Sequence, residues 1–159
     1  MGRKSTKENK NVYQQAREDR ELTREAAALQ LEFISDDRIE KIESDKVIAR
    51  PEEVMKMAEC YKHPELCNYY CSHECPIGQR YVPEVGLKEL SQISLEMLAS
   101  LNALEKQKNR LIEIAVDGIV HKDEKEDFIK IRDQLEEMSK AISALTIWVD
   151  NAVNTGKIE

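Results

Sequence analysis

Residues 22–58 read LTREAAALQLEFISDDRIEKIESDKVIARPEEVMKMA, and this stretch decides the fold. It divides into three short amphipathic helices separated by tight turns. Thr23 opens the first as an N-cap, and Glu25 suits the positive end of the helix dipole. Ser35 caps the next, with Asp36 and Asp37 in its first turn and Ile39 and Ile42 on its inner face. Pro51 starts the third, where its missing N–H needs no partner, and Val54, Met55 and Ala58 are expected to face inward. Upstream, residues 12–20 predict one more helix with Val12, Ala16 and Tyr13 as apolar contacts. The N-terminal half is therefore a compact all-α bundle.

Beyond it the character changes. Residues 60–86 hold all four cysteines and three of the four prolines. Pro76, Gly78, Pro83 and Gly86 predict a structured connector instead of a long helix. From Leu87 two long helical runs follow. Leu87, Leu90, Met97, Leu101, Leu104 and Leu111 follow spacings of three and four with Ser94 and Lys108 as polar interruptions of the stripe, and Gly118 with the charged stretch HKDEKED marks a bend. In the second run, Phe128, Ile131, Leu135, Met138, Ile142, Leu145, Val149 and Ala152 form a narrow coiled-coil seam. The two runs can pair as an antiparallel hairpin, leaving Ile93, Leu98, Ile112, Ile147 and Trp148 for a second copy. The domain plan is a basic arm over 1–10, a helical domain over 11–65, a Cys-rich connector over 66–86 and a hairpin over 87–159. A homodimer through 87–152 is expected.

Hydrophobic residues make up 41% of the chain and charged residues 35%, with five Gly and one Trp. That composition suits a water-soluble helical protein and disfavours turn-rich β-architecture. The apolar runs are short and broken by charge, so no membrane span is expected. MGRKSTKENKN leads into no apolar segment of the kind a secretory signal carries, and a cytoplasmic location is expected. The net charge is −7. The basic excess sits in the first ten residues, where Arg3, Lys4, Lys7 and Lys10 stand against Glu8. There is no phosphate-cradling glycine loop, nucleophile elbow or HExxH, and an enzyme is not expected.

Residues 11–65 resemble the Cro/CI-type (lambda-repressor-like, Xre-like) helix-turn-helix family of transcriptional regulators. The resemblance rests on Ile39, Ile42 and Glu43, then Pro51 with Val54 and Ala58. In that family an apolar pair on the recognition helix precedes a glutamate, a glycine turn and a proline-started helix. Asp45 stands where the turn glycine is usual, and aspartate tolerates a left-handed backbone better than most residues. Phe33 occupies the position of a second usual glycine, and counting back from Ser35 and forward from Thr23 disagrees by one residue, so the turn before the recognition helix is expected to be longer than usual.

The resemblance implies sequence-specific, transcription-regulating binding of double-stranded DNA, most readily as a repressor. Ser35, Asp36, Asp37, Arg38 and Lys41 would face the major groove, with Arg24 or Glu25 near the backbone. Arg38 would contact guanine bidentately, and Lys41 guanine or phosphate. A dimer would bind half-sites about one helical turn apart. Asp36 and Asp37 pull the other way, because adjacent carboxylates repel phosphate. The alternative is a helical protein-interaction module, antitoxin-like or adaptor, that keeps the fold without an operator.

Cys60, Cys67, Cys71 and Cys75 lie among His63 and His73. In a cytoplasmic protein such density points away from disulfides. Thiolates at these positions suit a structural zinc ion or an iron–sulfur cluster, and the alternatives are a redox sensor or inert buried thiols. The spacings are not the usual C-x2-C pairs, so all of these remain open at this point.

Overall fold

The computed structural model describes residues 10–158, which divide into two compact units, one comprising residues 10–84 together with 150–158, the other residues 85–149. The fold is all-α, with no strand among the described residues. The basic arm expected over 1–10 lies, apart from Lys10, outside them.

The first unit contains α1 (Val12–Asp19), α2 (Arg24–Leu31), α3 (Asp36–Glu43) and α4 (Pro51–Tyr61). Side-chain caps fix three of the four starts. Asn11 Oδ1 accepts from Gln14 N at 3.0 Å, Thr23 Oγ1 from Ala26 N at 3.1 Å and Ser35 Oγ from Arg38 N at 3.2 Å. Each contact satisfies a first-turn amide that would otherwise lack a partner. The core gathers Tyr13 and Ala16 from α1, Leu31 from α2 and Ile39 and Ile42 from α3, with Ile34 plugging the turn between α2 and α3. Each large side chain buried this way contributes roughly 1.5–3 kcal/mol.

The α4 face differs from expectation in one residue. Val54, Met57, Ala58 and Tyr61 are buried, whereas Met55 is 66% exposed. At about 100° per residue, positions 54, 57, 58 and 61 share one side of the helix, and position 55 turns away from it. The two methionines have the same chemistry, and only the phase of the helix puts Met57 in the stripe and Met55 outside it.

The cysteine-bearing segment packs onto this bundle. It forms α5 (Glu65–Tyr69), a π-helical turn (Tyr70–Glu74) and α6 (Gly78–Tyr81). Leu66 enters the core, with Cys60, Cys67, Tyr69 and Tyr70 packed against it. Gly78 lies so close to the Cys71 backbone that a Cβ there would collide with the Cys71 carbonyl. Glycine is required by that approach.

The second unit is an antiparallel pair formed by α7 (Leu90–Ala115) and the part of α8 (Lys125–Asn154) up to Val149, turned around Gly118 at φ +73°. Near the turn Arg110 Nε donates to Asp127 Oδ2 at 2.9 Å, and towards the other end Ile93 packs with Ala144 and Ile147. The hairpin matches expectation, but its seam is rotated. Ile93 and Ile147, assigned to the outer surface, are buried, while Phe128, Leu135, Ile142 and Val149 remain exposed. On α8 the seam runs through Ile131, Ala141, Ala144 and Leu145. On α7 Ile93 and Ile114 are buried with Met97, Leu104 and Leu111 half-buried, so the pair closes on one flank of each apolar stripe and leaves the other flank outside. Among the described residues no helix is long and apolar enough to cross a membrane.

Candidate nucleic-acid interface and cysteine segment

The residues expected to face a DNA groove sit on α2, α3 and the turn between them. That turn is shaped by Glu32, which adopts φ +61° at the end of α2. A left-handed residue there is followed by Phe33, Ile34 and Ser35, so the strained position falls one residue before Phe33. Asp45 supplies the other expected left-handed residue, at φ +56°, and its Oδ1 accepts from Asn11 Nδ2 at 3.0 Å. The same Asn11 amide donates to Ile42 O at 2.8 Å, tying the start of α1 to the end of α3.

Two glutamates lock α3 in place. Glu43, at its C-terminus, accepts from Arg17 Nε at 2.6 Å, Arg17 Nη2 at 2.9 Å and Arg24 Nε at 2.8 Å. Burial opposes the charge on Arg17, yet hydrogen bonding and attraction to Glu43 hold its pKa above the ordinary value. Glu53, on α4, accepts from Arg38 Nε at 2.9 Å, Arg38 Nη2 at 2.8 Å and Arg50 N at 2.7 Å. The Arg38 guanidinium holds the Glu53 carboxyl below the usual carboxylate range, against an opposing push from burial. Arg38 Nη2 also donates to Ile48 O at 3.2 Å. A fork already engaged bidentately by a nearly buried carboxylate positions α3 against α4.

The other groove candidates have lighter commitments. Lys41 donates to Asp37 at 2.7 Å, an i,i+4 pair with both side chains largely in solvent. Such a pair is worth only about 0.3–0.5 kcal/mol and exchanges readily for an external partner. Ser35 caps α3 while remaining exposed, and Arg24 keeps 38% of its side chain in solvent. Sequence reasoning did not anticipate Glu43 and Glu53 as partners of the arginines it assigned to DNA. No local signal pointed to them, because each carboxylate lies on a different helix from its arginine.

A second surface was also unanticipated. Glu25, Leu29, Glu32, Phe33, Ser35 and Asp36 line a shallow groove beside the α2–α3 turn. Leu29 is 83% exposed and Phe33 59%, so the groove pairs apolar tips with carboxylates.

The four cysteines do not come together as a metal site. All four thiols are free and partly buried, and no three His, Cys, Asp or Glu side chains among the described residues form a metal-holding group. Cys60 Sγ donates to Gln30 Oε1 at 3.4 Å, and Cys75 Sγ accepts from Gly78 N at 3.4 Å. Cys67 and Cys71 are helical neighbours, and burial pushes the Cys60 and Cys67 thiols up. The π-helical turn, closed by Cys75 N donating to Tyr70 O at 2.9 Å, adds a residue to the ring and shifts the later thiol off the earlier face. Among the described residues these thiols do not converge with each other or with the histidines as a tetrahedral zinc ion would need. Around them, His73 stacks on Tyr69 at 4.4 Å, and Tyr69 meets Tyr13 edge-on at 6.1 Å. His63, beside the segment, is raised in pKa by its hydrogen bond to Glu65.

No family model, curated protein or solved structure matches this chain. The functional reading therefore stands on the residues themselves.

Proposed function

We propose that this chain is a DNA-binding regulator whose first unit presents α3 to the major groove. The observation that carries the reading is the way α3 is held. Glu43 is clamped by Arg17 and Arg24, and Arg38 is clamped by Glu53. Between those clamps Ser35, Asp36, Asp37 and Lys41 lie on the outer, solvent-facing side of a helix whose inner Ile39 and Ile42 are buried. A rigid short helix with its polar face outward is what groove recognition requires. In this reading Lys41 exchanges Asp37 for phosphate or guanine, and the released Asp37 and its neighbour Asp36 accept from cytosine N4. Arg38 orients the helix and reads no base.

Selection from a randomised duplex pool at low salt tests this with the full chain. The expected outcome is an enriched motif whose affinity falls steeply with salt, as counterion release demands. Lys41→Ala should weaken the selected site by roughly tenfold or more, in keeping with about 1–3 kcal/mol for a good base contact. Arg38→Ala should weaken all sequences alike. Failure to enrich any motif overturns the proposal.

The acidic groove supports a second reading, in which the same unit docks a partner protein. Glu25, Glu32 and Asp36 around Leu29 and Phe33 suit a basic amphipathic segment. Binding of such a segment with no uptake of duplex would favour it.

A further inference from the structure

The second unit has two unlike sides. On one, Lys88, Glu96, Ala99 and Ala103 of α7 and its approach share a polar groove with Gln134, Glu137 and Lys140 of α8. The Lys88–Glu96 ion pair at 2.7 Å and the Lys140–Glu137 pair at 2.7 Å lie there. Across the seam, at about 100° per residue, the opposite flank of α8 carries Phe128, Leu135, Ile142 and Val149. These four recur every seventh residue, and all are exposed. The same flank of α7 carries Leu90, Leu101 and Ile112, recurring every eleventh residue and likewise exposed. In antiparallel helices the flanks opposite a shared groove lie on one common side. That side of the hairpin therefore carries a line of exposed apolar side chains on each helix, interrupted by Ser94 and Lys108 on α7 and by Arg132, Ser139 and Thr146 on α8.

We infer that this side is the contact between two copies of the chain, which pair through residues 87–149 as a four-helix bundle. Three observations select a second copy as the occupant. The apolar side runs nearly the full length of both helices, on the order of 40 Å at 1.5 Å per residue, so its match is another rod of equal length. The seven side chains of that side each offer roughly half their surface. That amounts to on the order of 600 Å² per copy, the lower end of the share one partner contributes to a standard interface. The seven-residue recurrence on α8 is the register of a helix-packing seam, which the intramolecular pair leaves unfilled. Charge opposes a lipid surface as occupant, because acidic residues outnumber basic ones over 85–149. The edges carry both signs, as in Glu105 with Lys108 and Arg132 with Asp133, so two copies related by a two-fold meet without like-charge blocks.

This inference stands independently of DNA recognition, and its test contains no DNA. Sedimentation equilibrium of the full chain should return twice the 18.4 kDa chain mass at micromolar concentration. Leu135→Glu with Ile142→Glu, both at exposed positions, should weaken the pairing by roughly a hundredfold or more and return the chain mass. The helical circular dichroism should be retained. Glu96→Gln on the polar side should leave pairing unchanged. A wild-type chain that sediments at its own mass at 100 μM overturns the inference, and so does a dimer untouched by the double substitution. Occupation of the apolar side by the chain's own first unit, or by another protein, would appear as the former result.

Discussion

Replacing Glu43 by alanine leaves the Arg17 guanidinium buried without its carboxylate. The Arg17 side chain is 7% exposed and that of Glu43 1%, so water cannot take over the lost contacts. Two bonds from Arg17 and one from Arg24 disappear together. Arg24 rehydrates at little loss because more than a third of it is already in solvent. The stranded Arg17 charge dominates, and breaking a buried pair from one side costs roughly 3–5 kcal/mol. Against a total stability of about 5–15 kcal/mol for a domain, Glu43→Ala should bring the first unit close to unfolding. The double variant Arg17→Met with Glu43→Leu removes both charges. It should recover most of that loss, since apolar replacement of a buried pair is often neutral or stabilising by about 1–4 kcal/mol. Urea unfolding followed by circular dichroism measures both variants, and the four-member cycle isolates the pair term. A single variant within about 1 kcal/mol of wild type would refute the reasoning, as would a double variant no better than the single.

Gly78→Ala should destabilise the cysteine segment by about 1–3 kcal/mol, because its new methyl meets the Cys71 backbone and not a side chain that can move aside. Limited proteolysis between residues 70 and 82 would register the loosening. Met57→Ala should cost about 2–5 kcal/mol, whereas Met55→Ala should stay within about 0.5 kcal/mol, and urea midpoints distinguish them. Glu53 gives a pH signature. Its folded pKa lies below the ordinary 4.5, so its stabilisation is complete above that value and is lost as pH falls through the lower folded value. Glu53→Gln should therefore reduce the loss of stability in acid, measured as urea midpoints between pH 6 and pH 3.

The helical starts were legible because they are written in single residues: Thr23, Ser35 and Pro51 each satisfy or spare a first-turn amide. Ile39 and Ile42 were legible from their spacing, and Asp45 from its tolerance of a left-handed backbone. Met55 was misassigned because Met55 and Met57 have the same chemistry and differ only by helical phase. The α8 seam went astray for a related reason. Ile131, Met138 and Leu145 belong to two overlapping three-four patterns, one completed by Leu135 and Ile142, the other by Gln134 and Ala141. Hydrophobicity favours the first, and packing against α7 takes the second. At the candidate interface, the arginines were assigned to DNA by position along α2 and α3. Their commitments to Glu43 and Glu53 depend on how three helices converge, which local spacing does not encode. The cysteine arrangement was hidden by the π-helical turn, since one added residue in the ring changes which thiols share a face.

Amide hydrogen exchange of the full chain, with and without a duplex chosen by selection, bears most directly on the claim that α3 enters a groove. The account predicts slowed exchange across residues 35–44, centred on Asp36 to Lys41, with α4 unchanged. Slowing confined to residues 25–33 with none over 35–44, or no change at any amide under saturating duplex, would contradict it.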